Sequence, residues 1–132
     1  QRQMCIRDRF RDFVLTRITA VDETAAAVNG AVESIAHDPD WQRIVSLELI
    51  PHPRAIFARA IELDYGLESG QSIKRSVRAA MAAYLLRRWG VDCSVEATLN
   101  PDEYQLALRD PKWLATQVRL AIAPGFSEEA GC

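Results

Sequence analysis

Apolar residues at Ile73, Val77, Ala80, Met81, Tyr84, Leu85 and Trp89 recur at three- and four-residue intervals. That is the period of one helix face, and it predicts a helix over 72–89 ended by Gly90. Ile56, Phe57, Ala60 and Ile61, just after Pro53, predict a shorter helix over 54–63. Strict alternation appears at Val45, Leu47 and Leu49 against Ser46, Glu48 and Ile50, ended by Pro51. It appears again at Val91, Cys93, Val95 and Ala97 against Asp92, Ser94 and Glu96. Both runs predict strands. Residues 10–21 are rich in β-branched and aromatic types, and as a strand they put Arg11, Phe13, Leu15 and Arg17 on one face. Val14, Ile18, Val21, Ala25, Val28, Val32 and Ile35 fit a helical spacing too, but Thr16, Ile18, Thr19 and Val21 favour the strand. Asp22 heads a partly helical connector over 22–39, weakened by Asn29-Gly30. Asn100-Pro101-Asp102-Glu103 supplies an N-cap, an N1 proline and an N3 glutamate, so a helix is predicted there, interrupted before Pro111 and resumed over 112–122. Pro124-Gly125 stops it, and 124–132 is expected to be a disordered tail.

The resulting fold class is α+β in two unequal parts. A chain of 132 residues with 48% hydrophobic and 26% charged residues has the balance of a globular protein, which excludes a disordered tail, a collagen-like repeat and a disulfide-dense mini-protein. No apolar run reaches the length of a membrane helix and no signal segment heads the chain, so no membrane partner is expected and the cytoplasm is the expected compartment. The opening Gln1-Arg2-Gln3-Met4-Cys5-Ile6-Arg7-Asp8-Arg9 has neither helical nor strand period and resembles translated sequencing-adapter read-through, so 1–9 is set aside as an artefact. Without it the basic count falls from 16 to 13 and the acidic count from 18 to 17, and the net charge moves from −2 to −4. The native N-terminus is then expected to lie elsewhere.

Candidate chemistry is sparse. Cys5, Cys93 and Cys132 are far apart with no C-x-x-C pair, and Cys93 reads as a small buried hydrophobe. His37 and His52 are the only histidines; nothing makes them converge with Asp38, Asp40 or Glu48, so they read as residues of proline turns and no metal is expected. Glu62 and Asp64 are two apart and would leave a helix on different faces, which does not make an acid/base pair. With no nucleophile elbow, phosphate loop or dinucleotide fingerprint, neither an enzyme nor a cofactor is expected. Lys74, Arg75, Arg78, Arg87 and Arg88 make the 72–89 segment basic. A solvated polar face accounts for them, and a phosphate-contacting face is the sharper reading, weakened by the acidic balance. Arg11 and Arg17 would frame an apolar floor of Phe13 and Leu15, where guanidinium forks suit a phosphate or carboxylate.

Several strings resemble one family. Phe10-Arg-Asp-Phe-Val-Leu-Thr-Arg-Ile18 is similar to the closing strand of a WYL domain. Asp40-Trp41, Val45-x-Leu47-x-Leu49-x-Pro51-His52-Pro53, Ile61-Glu62-x-Asp64-Tyr65-Gly66, Val77-Arg78-x-Ala80 and Tyr84-Leu85-Leu86-Arg87-Arg88-x-Gly90 resemble the extension that follows that domain. The likeness covers about residues 10–92; Thr16 stands where serine is common and Leu67 where methionine is expected. It implies a bacterial transcriptional regulator with a winged helix-turn-helix, an SH3-like β-barrel WYL sensor and an α+β extension. On that reading 10–21 is the last barrel strand, 22–39 the connector and 40–123 the extension domain. The resemblance also implies a homodimer, DNA binding through an N-terminal domain absent here, and a nucleotide or single-stranded nucleic-acid effector held by Arg11 and Arg17. It gives His52, Tyr65 and Arg78 packing, turn or dimer-contact roles.

Two other readings make different predictions. A stand-alone α-rich interaction or adaptor subunit would use exposed apolar area on a partner. Nucleic-acid binding through 74–88 would give this chain a salt-dependent affinity by itself.

Overall fold

A computed structural model describes residues 2–5, 9–12, 15–22 and 35–127. The chain divides into two units, Gln1–Gln42 and Arg43–Cys132.

In the first unit β1 (Arg2–Cys5) pairs antiparallel with β2 (Arg9–Asp12), Arg2 opposite Asp12 and Cys5 opposite Arg9. The opening run set aside as periodless thus contains a strand. The strand expected over 10–21 is shorter than its composition suggested: β2 stops at Asp12, Leu15–Arg17 is a 3-10 turn, and 18–22 has no regular structure. β-branched composition favours a strand only where a neighbour takes its ladder bonds, and β1 pairs only as far as Asp12. Most of the connector expected over 22–39 lies outside the described residues. Its end is a 3-10 turn at Ile35–His37 and a single helical turn, α1 (Pro39–Gln42). Asp38 starts α1, its Oδ1 accepting the N–H groups of Asp40 (3.1 Å) and Trp41 (3.3 Å), with Pro39 in the first turn.

The second unit is built on a four-stranded mixed sheet in the order β4-β3-β6-β5. β3 (Ile44–Pro51) forms where alternation predicted it, with Val45, Leu47 and Leu49 buried. It is flanked by β4 (Ile73–Arg78) and β6 (Leu106–Leu108), both antiparallel to it, while β5 (Val91–Asp92) runs parallel to β6. Three helices complete the unit: α2 (Ala58–Asp64), α3 (Ala82–Arg88) and α4 (Pro111–Gln117). One apolar core joins Val45, Leu47 and Leu49 to Ile61, Ala82, Leu86, Leu114 and Leu120.

The helix predicted over 72–89 is a correction. Its first third is the edge strand β4, then a 3-10 turn at Ala79–Met81, and only Ala82–Arg88 is α-helical. Ile73 and Val77 satisfy both periods, and pairing with Leu49 and Val45 of β3 decides between them. Gly90 ends α3 in the left-handed region at φ 62°, as expected. The strand expected over 91–97 lasts two residues, after which Ser94–Ala97 turns.

The helix expected at Asn100 is also absent. The capping signal acts locally, with Asp102 N–H donating to Asn100 Oδ1 (3.0 Å) and Tyr104 N–H to Asn100 O (2.9 Å). The chain is then captured as β6, whose three residues are all buried beside β3. Asp110 instead caps α4, which stops at Gln117 rather than near Ile122. The short helix begins at Ala58, leaving Ile56 and Phe57 outside it. Of the tail expected to be disordered, 124–127 are ordered: Pro124 O accepts Cys93 N–H at 2.8 Å and Phe126 packs on the core. Residues 128–132 lie outside the described residues.

Candidate functional site

The α2, α3 and β4 segments together make the surface features of the second unit. Pro53 and the turn after it delay α2 until Ala58, so Ile56 and Phe57 project from the approach to the helix, 88% and 75% exposed. Along α2, Ile61 turns inward and Leu63 outward, 62% exposed. Isolated exposed apolar side chains are ordinary, but here three large ones fall within eight residues of the chain.

A cleft of about 300 Å³ is lined by Leu49, Tyr65, Ile73, Arg75, Trp89 and Leu106. β3, β4 and β6 supply an apolar floor. Tyr65, just past α2, and Trp89, just past α3, add two half-exposed rings. Arg75 shares a face with Leu47, its cross-strand partner, so the edge strand brings one guanidinium to this otherwise apolar hollow. The basic residues expected on one helix divide between two elements: Lys74, Arg75 and Arg78 lie on β4, Arg87 and Arg88 on α3, and all five are exposed.

Beneath the surface lies a buried polar network that sequence reading missed. His52 and Asp92 are both fully buried, with His52 Nε2 2.9 Å from Asp92 Oδ2. Arg54 N–H donates to His52 Nδ1 at 3.2 Å, so Nδ1 accepts and Nε2 carries the hydrogen given to Asp92. A neutral ring satisfies both bonds. Asp92 Oδ1 accepts from Ser94 N–H (2.8 Å) and Ser94 Oγ–H (2.6 Å), and Oδ2 also accepts Leu99 N–H (3.0 Å). Ser94 Oγ in turn accepts Thr98 N–H (2.7 Å). Burial raises the Asp92 carboxyl, but hydrogen bonds from Ser94, His52 and Leu99 outweigh it and hold it below the ordinary carboxylate value.

The three residue types are those of a hydrolase triad, yet their order forbids that chemistry. The carboxylate stands between the serine and the histidine, so the imidazole touches no hydroxyl and has no proton to take. What the network does is mechanical. It fastens the turn after β3 to the 93–105 crossover that makes β5 and β6 parallel. The local signal was Asp92-x-Ser94, an Asx-type turn; the partner forty residues upstream left no trace in the pattern.

The remaining candidates are placed as follows. Arg11 lies in β2 and Arg17 closes the 3-10 turn, exposed, so the single strand that would set them on one face does not form. Cys93 is a buried hydrophobe as expected, its thiol pushed up to about 12 by burial and by the neighbouring Asp92 charge. His37 is exposed, while His52 is no loop histidine in water but a core residue. Glu62 is held by Arg59 (3.0 Å) and Gly70 N–H (3.2 Å), which lower its carboxyl. Among the described residues no three His, Cys, Asp or Glu side chains could hold a metal, and no helix is long and apolar enough to cross a membrane.

No curated protein matches the chain. A family model, the BrxR transcriptional regulator C-terminal dimerization domain, matches residues 44–114, from the first residue of β3 to the middle of α4. That match takes in β3, α2, β4, α3, β5 and β6 and more than half of the chain, and the chain belongs to the family of BrxR transcriptional regulator C-terminal dimerization domains.

Proposed function

We propose that the chain is the C-terminal dimerisation part of a bacterial WYL-type transcriptional regulator and that residues 43–127 hold two copies together. The observation that carries this reading is the coincidence of the family match with a unit that has its own core and still displays Ile56, Phe57 and Leu63 to water. Burying those side chains against a second copy removes apolar area at roughly 25 cal/mol per Å². A two-fold contact uses the same patch on both partners, so each side chain acts twice.

The WYL resemblance of residues 10–21 extends this reading to the rest of the regulator. Arg11 and Arg17 would contact a phosphate-bearing effector, and the response would pass through the dimer to a winged helix-turn-helix elsewhere in the full protein. Alanine at both arginines is expected to abolish the effector response of the full regulator while leaving DNA affinity intact.

Light scattering on the 132-residue chain tests the core of the proposal. The expected mass at tens of micromolar is twice the 14.8 kDa protomer, and Phe57→Asp is expected to return it to one protomer with unchanged circular dichroism. A wild-type protomer mass at that concentration overturns the reading.

A further inference from the structure

We propose that the outer edge of β4 docks an extended acidic segment of a partner protein, added antiparallel as a further strand of the sheet. The site is separate from Ile56, Phe57 and Leu63 and from Arg11 and Arg17. The register decides which backbone groups face outward. Ala79 N–H donates to Arg43 O at 2.9 Å, and from there Ile44 pairs with Arg78 and Val45 with Val77. Hydrogen-bonded and non-hydrogen-bonded pairs alternate along an antiparallel ladder. Ile73, Arg75 and Val77 therefore direct their N–H and C=O groups at β3, while Lys74 and Ser76 direct theirs outward. The Arg75 side chain agrees, since its Nη1 reaches Lys74 O at 2.9 Å from the open side. β4 ends the sheet, and among the described residues no other backbone takes the outward groups of Lys74 or Ser76. Such an edge is a template for another strand.

Charge selects the occupant. Charged residues on an edge discourage pairing between copies, and they do so here. In the registers that pair most of β4 with a second β4, Lys74 falls opposite Arg78 or Arg75 opposite itself. An acidic strand is attracted instead. Lys74 and Arg75 stand on opposite faces of the sheet, so an added strand answers both with two successive carboxylates. Neither cation is in an ion pair among the described residues, because Glu48, across from Lys74, is engaged by Ser72 Oγ–H (2.7 Å) and Arg109 (3.4 Å). Ile73 and Arg75 also line the cleft of about 300 Å³ that Tyr65 and Trp89 edge, so a residue opposite Ile73 stands at an apolar rim. Strand addition draws affinity from main-chain bonds and specificity from pockets for alternate side chains, and both lie together on this edge. The register gives the pattern: apolar opposite Val77, small and polar opposite Ser76, acidic opposite Arg75 and Lys74, apolar opposite Ile73. The chain's own Phe126-Ser127-Glu128-Glu129-Ala130 has that pattern, but Phe126 is packed on its own core and cannot serve as the first anchor.

Fluorescence anisotropy of the whole chain with fluorescein-Gly-Gly-Val-Thr-Glu-Glu-Val-amide tests the proposal. Saturable binding is expected, weakening as salt rises from about 50 to 200 mM. Lys74→Glu and Arg75→Glu should each weaken it about tenfold and bind the peptide with two lysines in place of its glutamates. N-methylation of the threonine removes the donor to Ser76 O and should cost at least about tenfold, whereas N-methylation of the first glutamate, whose N–H points away, should cost little. Ser76→Pro deletes the outward N–H without touching the β3 ladder, and should abolish binding with unchanged circular dichroism. Phe57→Asp should bind as wild type does, whatever its mass, which keeps this result independent of the dimer reading. Equal binding of the two N-methylated peptides reduces the edge to a charged surface and overturns the proposal. So does a chain cut after Ser127 that binds markedly tighter, which gives the edge to the chain's own tail, or a mass that falls on Ser76→Pro, which gives it to a second copy.

Discussion

His52 and Asp92, forty residues apart, share a hydrogen bond of 2.9 Å with both side chains fully buried. The bond ties the turn that presents Ile56 and Phe57 to the crossover between the parallel strands. Asp92 accepts four hydrogen bonds in all, from His52, Ser94 twice, and Leu99. An amide in place of Oδ2 sets donor against donor at both His52 and Leu99, and one in place of Oδ1 does so at Ser94 N–H. Asp92→Asn is therefore expected to cost about 2–4 kcal/mol. Ser94→Ala removes a hydroxyl that both donates to Asp92 and accepts from Thr98, at about 1–2 kcal/mol. Urea unfolding of the two variants ranks them. Equal or reversed losses would contradict Asp92 as the centre of the network.

The same carboxylate gives stability a pH dependence. Its folded value lies below that of the unfolded chain, so its contribution is full above the ordinary carboxylate pKa of about 3.9 and is lost as pH falls through the folded value. The stability gap between wild type and Asp92→Asn should stay constant from about pH 7 to 5 and close below about pH 4. Urea midpoints over that range check it, and a gap that widens in acid would give Asp92 the opposite sign.

Cys93 is sealed on the other side of that carboxylate. With its thiol at about 12 and fully buried, it has almost no thiolate at pH 8 and no path to a reagent. In a Cys5→Ser/Cys132→Ser background the native chain should take up no Ellman's reagent over an hour, and one equivalent after denaturation. Prompt labelling of the native chain would mean that the C-terminal turn opens readily around Cys93.

How much of this was legible in the sequence depended on whether a pattern was local. β3 was, because Val45, Leu47 and Leu49 alternate over a long strand with one buried face. β4 was not: Arg75 takes an inward-facing slot on the sheet's edge and breaks the alternation, while Ile73 and Val77 also fit a helix. β6 was hidden because three buried residues are too few to show a period, and the capping residues before them pointed to a helix. The cleft joins residues from five separated elements or turns, and the Asp92 network spans forty residues. Neither leaves a repeat that periodicity can detect.

Two glycines separate backbone strain from crowding. Gly90 and Gly125 both have positive φ, 62° and 72°. A Cβ on Gly90 meets nothing within 4 Å, so Gly90→Ala costs only the left-handed conformation, about 1 kcal/mol. A Cβ on Gly125 would sit 2.9 Å from Leu99 Cδ1 and 3.1 Å from Asp92 Oδ1. The leucine tip can give way, but the Asp92 oxygen is held by two bonds from Ser94. Gly125→Ala is therefore expected to lose about 2–3 kcal/mol, strain and overpacking together. It should also lose less in a Ser94→Ala background, where one of the two bonds that hold that oxygen is gone. Additive losses in the double variant would place the cost of Gly125→Ala wholly in the backbone and leave the C-terminal turn uncoupled from the Asp92 network.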